Sequence, residues 1–299
     1  MKDKISLHKI KIFLLCCLSL WMIGSCSSNS SPSLLFFSFG DWGSGTSDQK
    51  AVATAVKDFC QTERCNFGLL LGDNFYPSGV GSVDDPQWQE KFEQVYTGLD
   101  LPFYAVLGNH DHQGNIQAEI DYTLQQDRWK MPARHYKISY PENSTSPLLE
   151  IFAFDSGPSD GSGEIPQDPS FQELMAQLQS SQARWKILAM HHPIYSNGQH
   201  GDSAALVDLI PQICNQVDVV LSGHDHIFSQ LDDAQDGCAF QQWVVGTGGQ
   251  SLYTIQPDSR SVFSEAAFGF AAVRINQNKL EIAFYHVDGS IADTYTIEK

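Results

Sequence analysis

Six histidines, His110, His112, His191, His192, His224 and His226, directly follow unbroken apolar runs. Histidines that serve only local hydrogen bonds would scatter, so their gathering at the ends of such runs points to a shared task. Asp41, Asp73 and Asn109 close runs of the same kind, and together these residues offer oxygen and imidazole donors from at least five separate segments. Donors of these types, drawn from several segments, suit the holding of hydrolytic metal ions and are unlike a motif carried by one helix. Each piece is weak alone, because a Gly-Asp pair is common and a histidine after a strand is more often hydrogen-bonded in place. The ordered set "GD", "GDN", "GNHD", "HHP" and "GHDH" is far more specific.

The runs that must position these groups are "SLLFFSFGDWG", "FGLLLGDN", "FYAVLGNHDH", "WKILAMHHP", "VDVVLSGHDH" and "QQWVVGTGG". Being apolar at successive positions, they read as strands covered on both faces. Three stripes at helical spacing lie between or after them. Ala51, Val52, Ala55, Val56 and Phe59 follow a cap at Ser47 or Asp48; Trp88, Phe92, Val95, Tyr96 and Leu99 form the second; Phe171, Leu174, Met175 and Leu178 form the third. Alternating strands and helices predict an α/β sheet, and such sheets collect their functional groups outside the carboxyl ends of the strands. Residues 158–170 read as an exposed loop. "FGFAAVRINQNKLEIAFYHVDG" predicts two strands around an Asn-Gln-Asn turn that close one sheet edge. With no internal repeat and no second linker, 34–299 forms a single domain.

Ahead of that domain, Lys2, Lys4, Lys9 and Lys11 precede an apolar run from Ile12 to Ile23, the layout of a secretory signal over residues 1–25 and too short to span a bilayer comfortably. The run ends in "IGSC" before a serine-rich tether at 26–33, which resembles a bacterial lipobox with Cys26 as the lipidated residue; an ordinary cleaved signal is the alternative. The chain is thus expected to be exported, as a periplasmic or cell-envelope lipoprotein or in secreted form. Removing the signal takes away four lysines and one aspartate and moves the formal charge from -17 to -20. Such a surface disfavours nucleic acid and anionic membranes, so an anionic substrate must be drawn by a locally positive site. Cys60, Cys65, Cys214 and Cys238 suggest two disulfides from three possible connectivities, with Cys60–Cys65 and Cys214–Cys238 preferred over free thiols.

Taken together, the ordered motifs resemble the metallophosphoesterase superfamily, whose pattern runs D-x-H, GD, GNHD, H and GHxH. The first motif here departs from it, because Asp41, Trp42 and Gly43 include no histidine. "GDNFY" offers a substitute in Tyr76, and with it the chain resembles the purple acid phosphatases, above all the mammalian tartrate-resistant type, from about Leu34 to the C-terminal strands. That resemblance implies a four-layer α/β/β/α sandwich with mixed sheets. It also implies a ferric ion held by Asp41, Asp73, Tyr76 and His226, and a divalent ion (iron, zinc or manganese) held by Asp73, Asn109, His191 and His224. His110 would hydrogen-bond the phosphoryl group and His200, nine residues after His191, would contact phosphate and protonate the leaving oxygen; a plain surface histidine is the alternative at 200. His192, His112 and Asp225 would orient neighbours, and His135 and His286 would be ordinary core or surface residues. The mammalian loop cysteines have no counterpart between Ser156 and Ser170, so regulation by cleavage there is left open. The implied activity is hydrolysis of phosphomonoesters, small or on proteins, at acid pH by a monomer. A phosphodiesterase or nucleotide hydrolase using the same metals, and a lipid-anchored phosphate-binding or redox protein, are the alternatives.

Overall fold

The computed structural model describes residues 33–157, 168–232, 238 and 240–299. The expected signal, nearly all of the tether with Cys26, and most of the predicted 158–170 loop lie outside the described residues. Two seven-stranded sheets make up the fold. The first runs in the order β14 (Ile291–Glu298), β13 (Lys279–His286), β12 (Gly269–Ile275), β1 (Leu34–Phe39), β2 (Phe67–Leu70), β3 (Phe103–Ala105) and β4 (Trp129–Lys130). The second runs β11 (Ser261–Glu265), β9 (Phe228–Leu231), β10 (Gln241–Val245), β8 (Val219–Ser222), β7 (Trp185–Ala189), β6 (Leu149–Ala153) and β5 (Tyr136–Tyr140). Both are mixed: β1 to β4 are parallel while β12 to β14 pair antiparallel, and β6, β7, β8 and β10 are parallel while β5, β9 and β11 are not.

Each of the six apolar runs forms a strand, and alternate residues of the second sheet divide between two cores. Ile151, Ile187, Val219, Leu221 and Trp243 share a core with the first sheet, whereas Phe152, Leu188 and Val220 pack with Phe171, Leu174, Met175 and Leu178 of a helix at Pro169–Ser180. Side chains that alternate in this way need cover on both faces, which is why the runs carry no polar break. Across the gap between the sheets, Phe228 stacks on Phe284 at 4.6 Å and Trp243 meets Tyr295 at 5.5 Å. Helix α1 (Ser47–Glu63) covers the outer face of the first sheet, with Phe59 against Phe270 of β12. The layers are therefore helix, sheet, sheet and helix.

Local details differ from the sequence expectation in three places. Helix α1 is capped by Thr46, which has extended backbone and whose hydroxyl accepts the Gln49 N–H; Ser47 and Asp48 already lie in the first turn. The Trp88 stripe is helical only over Trp88–Glu93 and with a wide, i+5 turn. That pitch sets Trp88 and Phe92 on Trp129, at 5.0 and 5.2 Å, so aromatic packing overrides the ordinary helical repeat. The β12–β13 hairpin turns at residues 276–278 as expected, but β14 covers it and forms the sheet edge. The two expected disulfides, Cys60–Cys65 and Cys214–Cys238, are both formed.

Candidate metal centre

The polar groups stand where the parallel strands of both sheets end. Asp41 follows β1, Asp73 and Tyr76 follow β2, Asn109 and His110 follow β3, His191 follows β7, and His224 and His226 follow β8. Main-chain hydrogen bonds join the two rims: Gly40 donates to Val245 at 2.7 Å, and Gly248 to Gly40 at 2.9 Å. Such close backbone approach needs glycine. A Cβ on Gly108 would stand 2.2 Å from Asp73 Oδ1, and one on Gly43 would stand 1.8 Å from the carbonyl oxygen of Asn74. No side chain, histidine included, fits at 43 in this backbone, and the Tyr76 N–H bonds the Gly43 carbonyl at 2.9 Å instead.

Tyr76 turns its hydroxyl inward, 2.6 Å from Asp73 Oδ2, 3.1 Å from Asp41 Oδ1 and 3.3 Å from His226 Nε2. His226 Nε2 is also 3.3 Å from Asp41 Oδ1. A second knot lies beside this one. Asn109 Oδ1 is 3.1 Å from both His191 Nε2 and His224 Nδ1, these nitrogens are 3.3 Å apart, and Asp73 Oδ1 is 3.4 Å from His191 Nε2. Asp73 thus touches both knots, and all seven residues singled out as ligands converge.

Does this set fit metal ions? His191 Nδ1 reaches the Leu71 carbonyl at 2.8 Å and His226 Nδ1 the Ser251 carbonyl at 2.7 Å. A carbonyl only accepts, so each Nδ1 carries a proton and, in the neutral ring, each Nε2 presents a lone pair to the site. The lone pairs of His191, Asn109 and Asp73 therefore face one another within 3.1–3.4 Å, a repulsive arrangement that a cation relieves. Donor atoms of Asp41, Asp73 and His191 lie within 4.8 Å of one another, as do those of His191, His192 and His224. The set fits.

Ionisation follows the same geometry. Burial pushes the Tyr76 phenol well up, and the charges of Asp41 and Asp73 push it further. Burial also raises Asp41, but His226, His191 and the His224 N–H together hold the carboxyl below its ordinary range; His226 itself is pulled down by burial and raised on balance by Asp41, the Ser251 carbonyl and Asp73. Burial, reinforced by the histidines crowded around it, pushes His224 well down and keeps it neutral. Without a cation the first knot is a proton-sharing cluster, so metals and protons compete for the same atoms.

The two candidate substrate histidines sit at the margin. His110 lies against Tyr76, ring centroids 4.4 Å apart, with Nδ1 bonded to the Pro77 carbonyl. His200 is exposed and lies over His224, centroids 4.2 Å apart. His192 Nδ1 meets the Ser156 hydroxyl, and His112 bonds Asp155 at 2.9 Å. Asp155 also takes the Arg134 Nε–H, and Arg134 reaches Asp168, so one guanidinium joins the residues that flank 158–167. His135 is buried beside Phe154 and Phe171, and His286 pairs with Glu265, both away from the centre.

The buried support of the centre carries little signal in the sequence. The Asp111 carboxylate accepts the N–H groups of Asn74, Phe75 and Gly108 and so ties the β2 and β3 turns together. Behind it the Asn74 side chain donates to Asp111 and to Glu119 of α2 (Ile116–Tyr122). Asp111 stood within "GNHD" and could have been read as such a tie; Glu119 carried no signal. Tyr253, stacked on His226 at 3.9 Å, was also missed, since its run "QSLYTIQ" shows no period.

The pattern of the calcineurin-like phosphoesterases matches residues 35–228. Purple acid phosphatase 4 of Arabidopsis thaliana is 30% identical over 88% of this chain and 83% of its own length. Tartrate-resistant acid phosphatase type 5 of Mus musculus is 33% identical over 86% of this chain and 88% of its own. The chain belongs to the calcineurin-like phosphoesterase family, among its purple acid phosphatases. Among solved structures, GAP50, the anchor in the inner membrane complex of Plasmodium, superposes with a TM-score of 0.77 at 28% identity over 89% of both chains. The lupin purple acid phosphatase PPD1 shares the fold, with a TM-score of 0.71 at 17% identity, over 90% of this chain and 54% of that one. Membership makes this protein a phosphoesterase with an implied binuclear centre, and the converging donors supply candidate residues for it. Among the described residues no helix is long and apolar enough to cross a membrane.

Proposed function

We propose an exported acid phosphatase for phosphate monoesters, with a ferric ion on Asp41, Asp73, Tyr76 and His226 and a divalent ion (iron, zinc or manganese) on Asp73, Asn109, His191 and His224. The observation that carries this reading is the Tyr76 hydroxyl, which lies within 3.3 Å of donor atoms of Asp41, Asp73 and His226. A phenol that burial and two carboxylates keep protonated ionises only beside a strong positive charge, and its hard oxygen favours a trivalent ion. When bound, the ions supply positive charge for a phosphoryl group and acidify a water that serves as nucleophile.

The chain's own residues do the rest. His110 has its Nδ1–H committed to the Pro77 carbonyl, and as the imidazolium it donates its Nε2–H to a phosphoryl oxygen. His200, exposed above His224, gives its proton to the leaving oxygen as the P–O bond breaks, which asks for an imidazolium and so for a low working pH. The acidic surface outside the site disfavours nucleic acid, leaving small phosphomonoesters or phosphorylated proteins as substrates of a monomer. Two disulfides support an oxidising compartment outside the cytosol. Lipid attachment at Cys26 is read by fatty-acid labelling of wild type and Cys26→Ser.

The purified protein should be coloured and contain iron, and Tyr76→Phe should lose the visible band together with the iron; an active, colourless, iron-free enzyme refutes the ferric assignment. Faster turnover of bis-nitrophenyl than of nitrophenyl phosphate would instead mark a diesterase. The likeness to an anchor protein favours a second reading, a binding role. The full donor set supports catalysis, and full metal occupancy without hydrolysis of any phosphoester would decide for binding.

A further inference from the structure

Between the two ligand histidines of the β8 turn stands Asp225, whose side chain points the other way. It is fully buried. Its Oδ1 accepts the backbone N–H of His200 at 2.9 Å, and its Oδ2 accepts the Ser196 hydroxyl at 2.5 Å. Ser196 Oγ in turn accepts the Gly198 N–H at 2.9 Å. Gly198 passes so close that a Cβ there would lie 2.3 Å from Asp225 Cγ. Residues 196–200 are thus wound around a carboxylate whose main chain is shared with His224 and His226. The His200 ring emerges from this knot over the His224 ring, with its edge 5.5 Å from Tyr253, centroid to centroid.

We propose that Asp225 is a positioning residue for His200: it ties the loop that carries this imidazole to the turn that carries two metal ligands, so that the proton donor keeps its register with the metals. The proposal rests on His200 being the leaving-group acid. In that step the P–O bond breaks, its electron pair goes to the leaving oxygen, and that oxygen takes the His200 proton. Displacing a catalytic group by about 1 Å lowers a rate by up to about 100-fold, and the loss shows only where the group is needed. A carboxylate that holds the backbone N–H leaves the ring nitrogens of His200 free, so it governs position.

The test compares an alkyl phosphate, whose leaving oxygen needs a proton, with 4-nitrophenyl phosphate, whose leaving group departs without one. In the metal-loaded enzyme, Asp225→Asn should lower kcat on the alkyl ester about tenfold and on the aryl ester less than about twofold, with unchanged metal content. Ser196→Ala, which leaves the ligand turn intact, should show the same selectivity with a smaller loss. Neither substitution should cost anything further in a His200→Ala background. Equal losses on both esters, or losses that persist without His200, overturn the proposal and make Asp225 a support of the metal turn. If His200→Ala alone slows both esters equally, the reading of His200 as acid fails, visibly separately, and this proposal fails with it.

Discussion

The two sheets contribute to the centre in different chemical currencies. The first, through the turns after β1, β2 and β3, brings the oxygens of Asp41, Asp73, Tyr76 and Asn109; the second, through β7 and β8, brings the imidazoles of His191, His224 and His226. Their backing differs too. The oxygen side rests on buried carboxyls, Asp111 and Glu119 around Asn74, while His191 and His226 are each oriented by a carbonyl, Leu71 and Ser251. Neither sheet holds a complete set, so the site is a property of their packing, and the mixed donors provide one harder and one softer position.

The sharpest way to break this division is Asp73→Ala, because Asp73 touches both knots. Both metals should be lost and kcat should fall by at least about 10³-fold. Elemental analysis that still finds two ions per chain would show that the halves are held independently. Next, His191→Ala should empty one position and spare the other, with about one ion retained and a rate loss on the order of 10²-fold. Loss of both ions there would mean that the oxygen side cannot hold an ion alone.

Gly43→Ala tests the oxygen side's backbone. The new methyl would meet Asn74, and the clash should lower stability by about 1–3 kcal/mol, measured by urea unfolding, with Tyr76 displaced. An unchanged midpoint would mean that the turn has slack. The smallest effect concerns pH. Burial pushes Glu119 up to about 8, with Asp73 and Asp155 adding to the push. A carboxyl raised on folding stabilises below its unfolded value near 4.5, and that contribution is lost as pH rises towards 8. The metal-free protein should therefore lose stability between about pH 4.5 and 8, and Glu119→Gln should flatten the slope. An identical slope in the variant would place the titration elsewhere.

What could be read from sequence follows from how far apart the partners lie. The six strands and the donors that converge at their ends were legible because each donor follows its strand closely, and burial on both faces leaves an unbroken apolar run. Tyr76 was legible through the gap at Gly43. Glu119 was not, since its partner Asn74 is 45 residues away and α2 announces nothing. Strands β5, β11 and β14 were missed because they lie at sheet edges and are only partly covered, so they carry no unbroken apolar run, and β9, though buried, is interrupted by Ser229 and Gln230. The Trp88 stripe misled because a single apolar face has the same look at either helical pitch.

One pairing described above sets a schedule. Strand β1, which delivers Asp41, lies between β2 and β12, so the residues at 34–38 must wait for partners at 271–275, near the other end of the chain. Such a distant contact forms late and only when the whole polypeptide is present. A chain still growing on the ribosome therefore has no finished cradle, and cations are acquired only after its release.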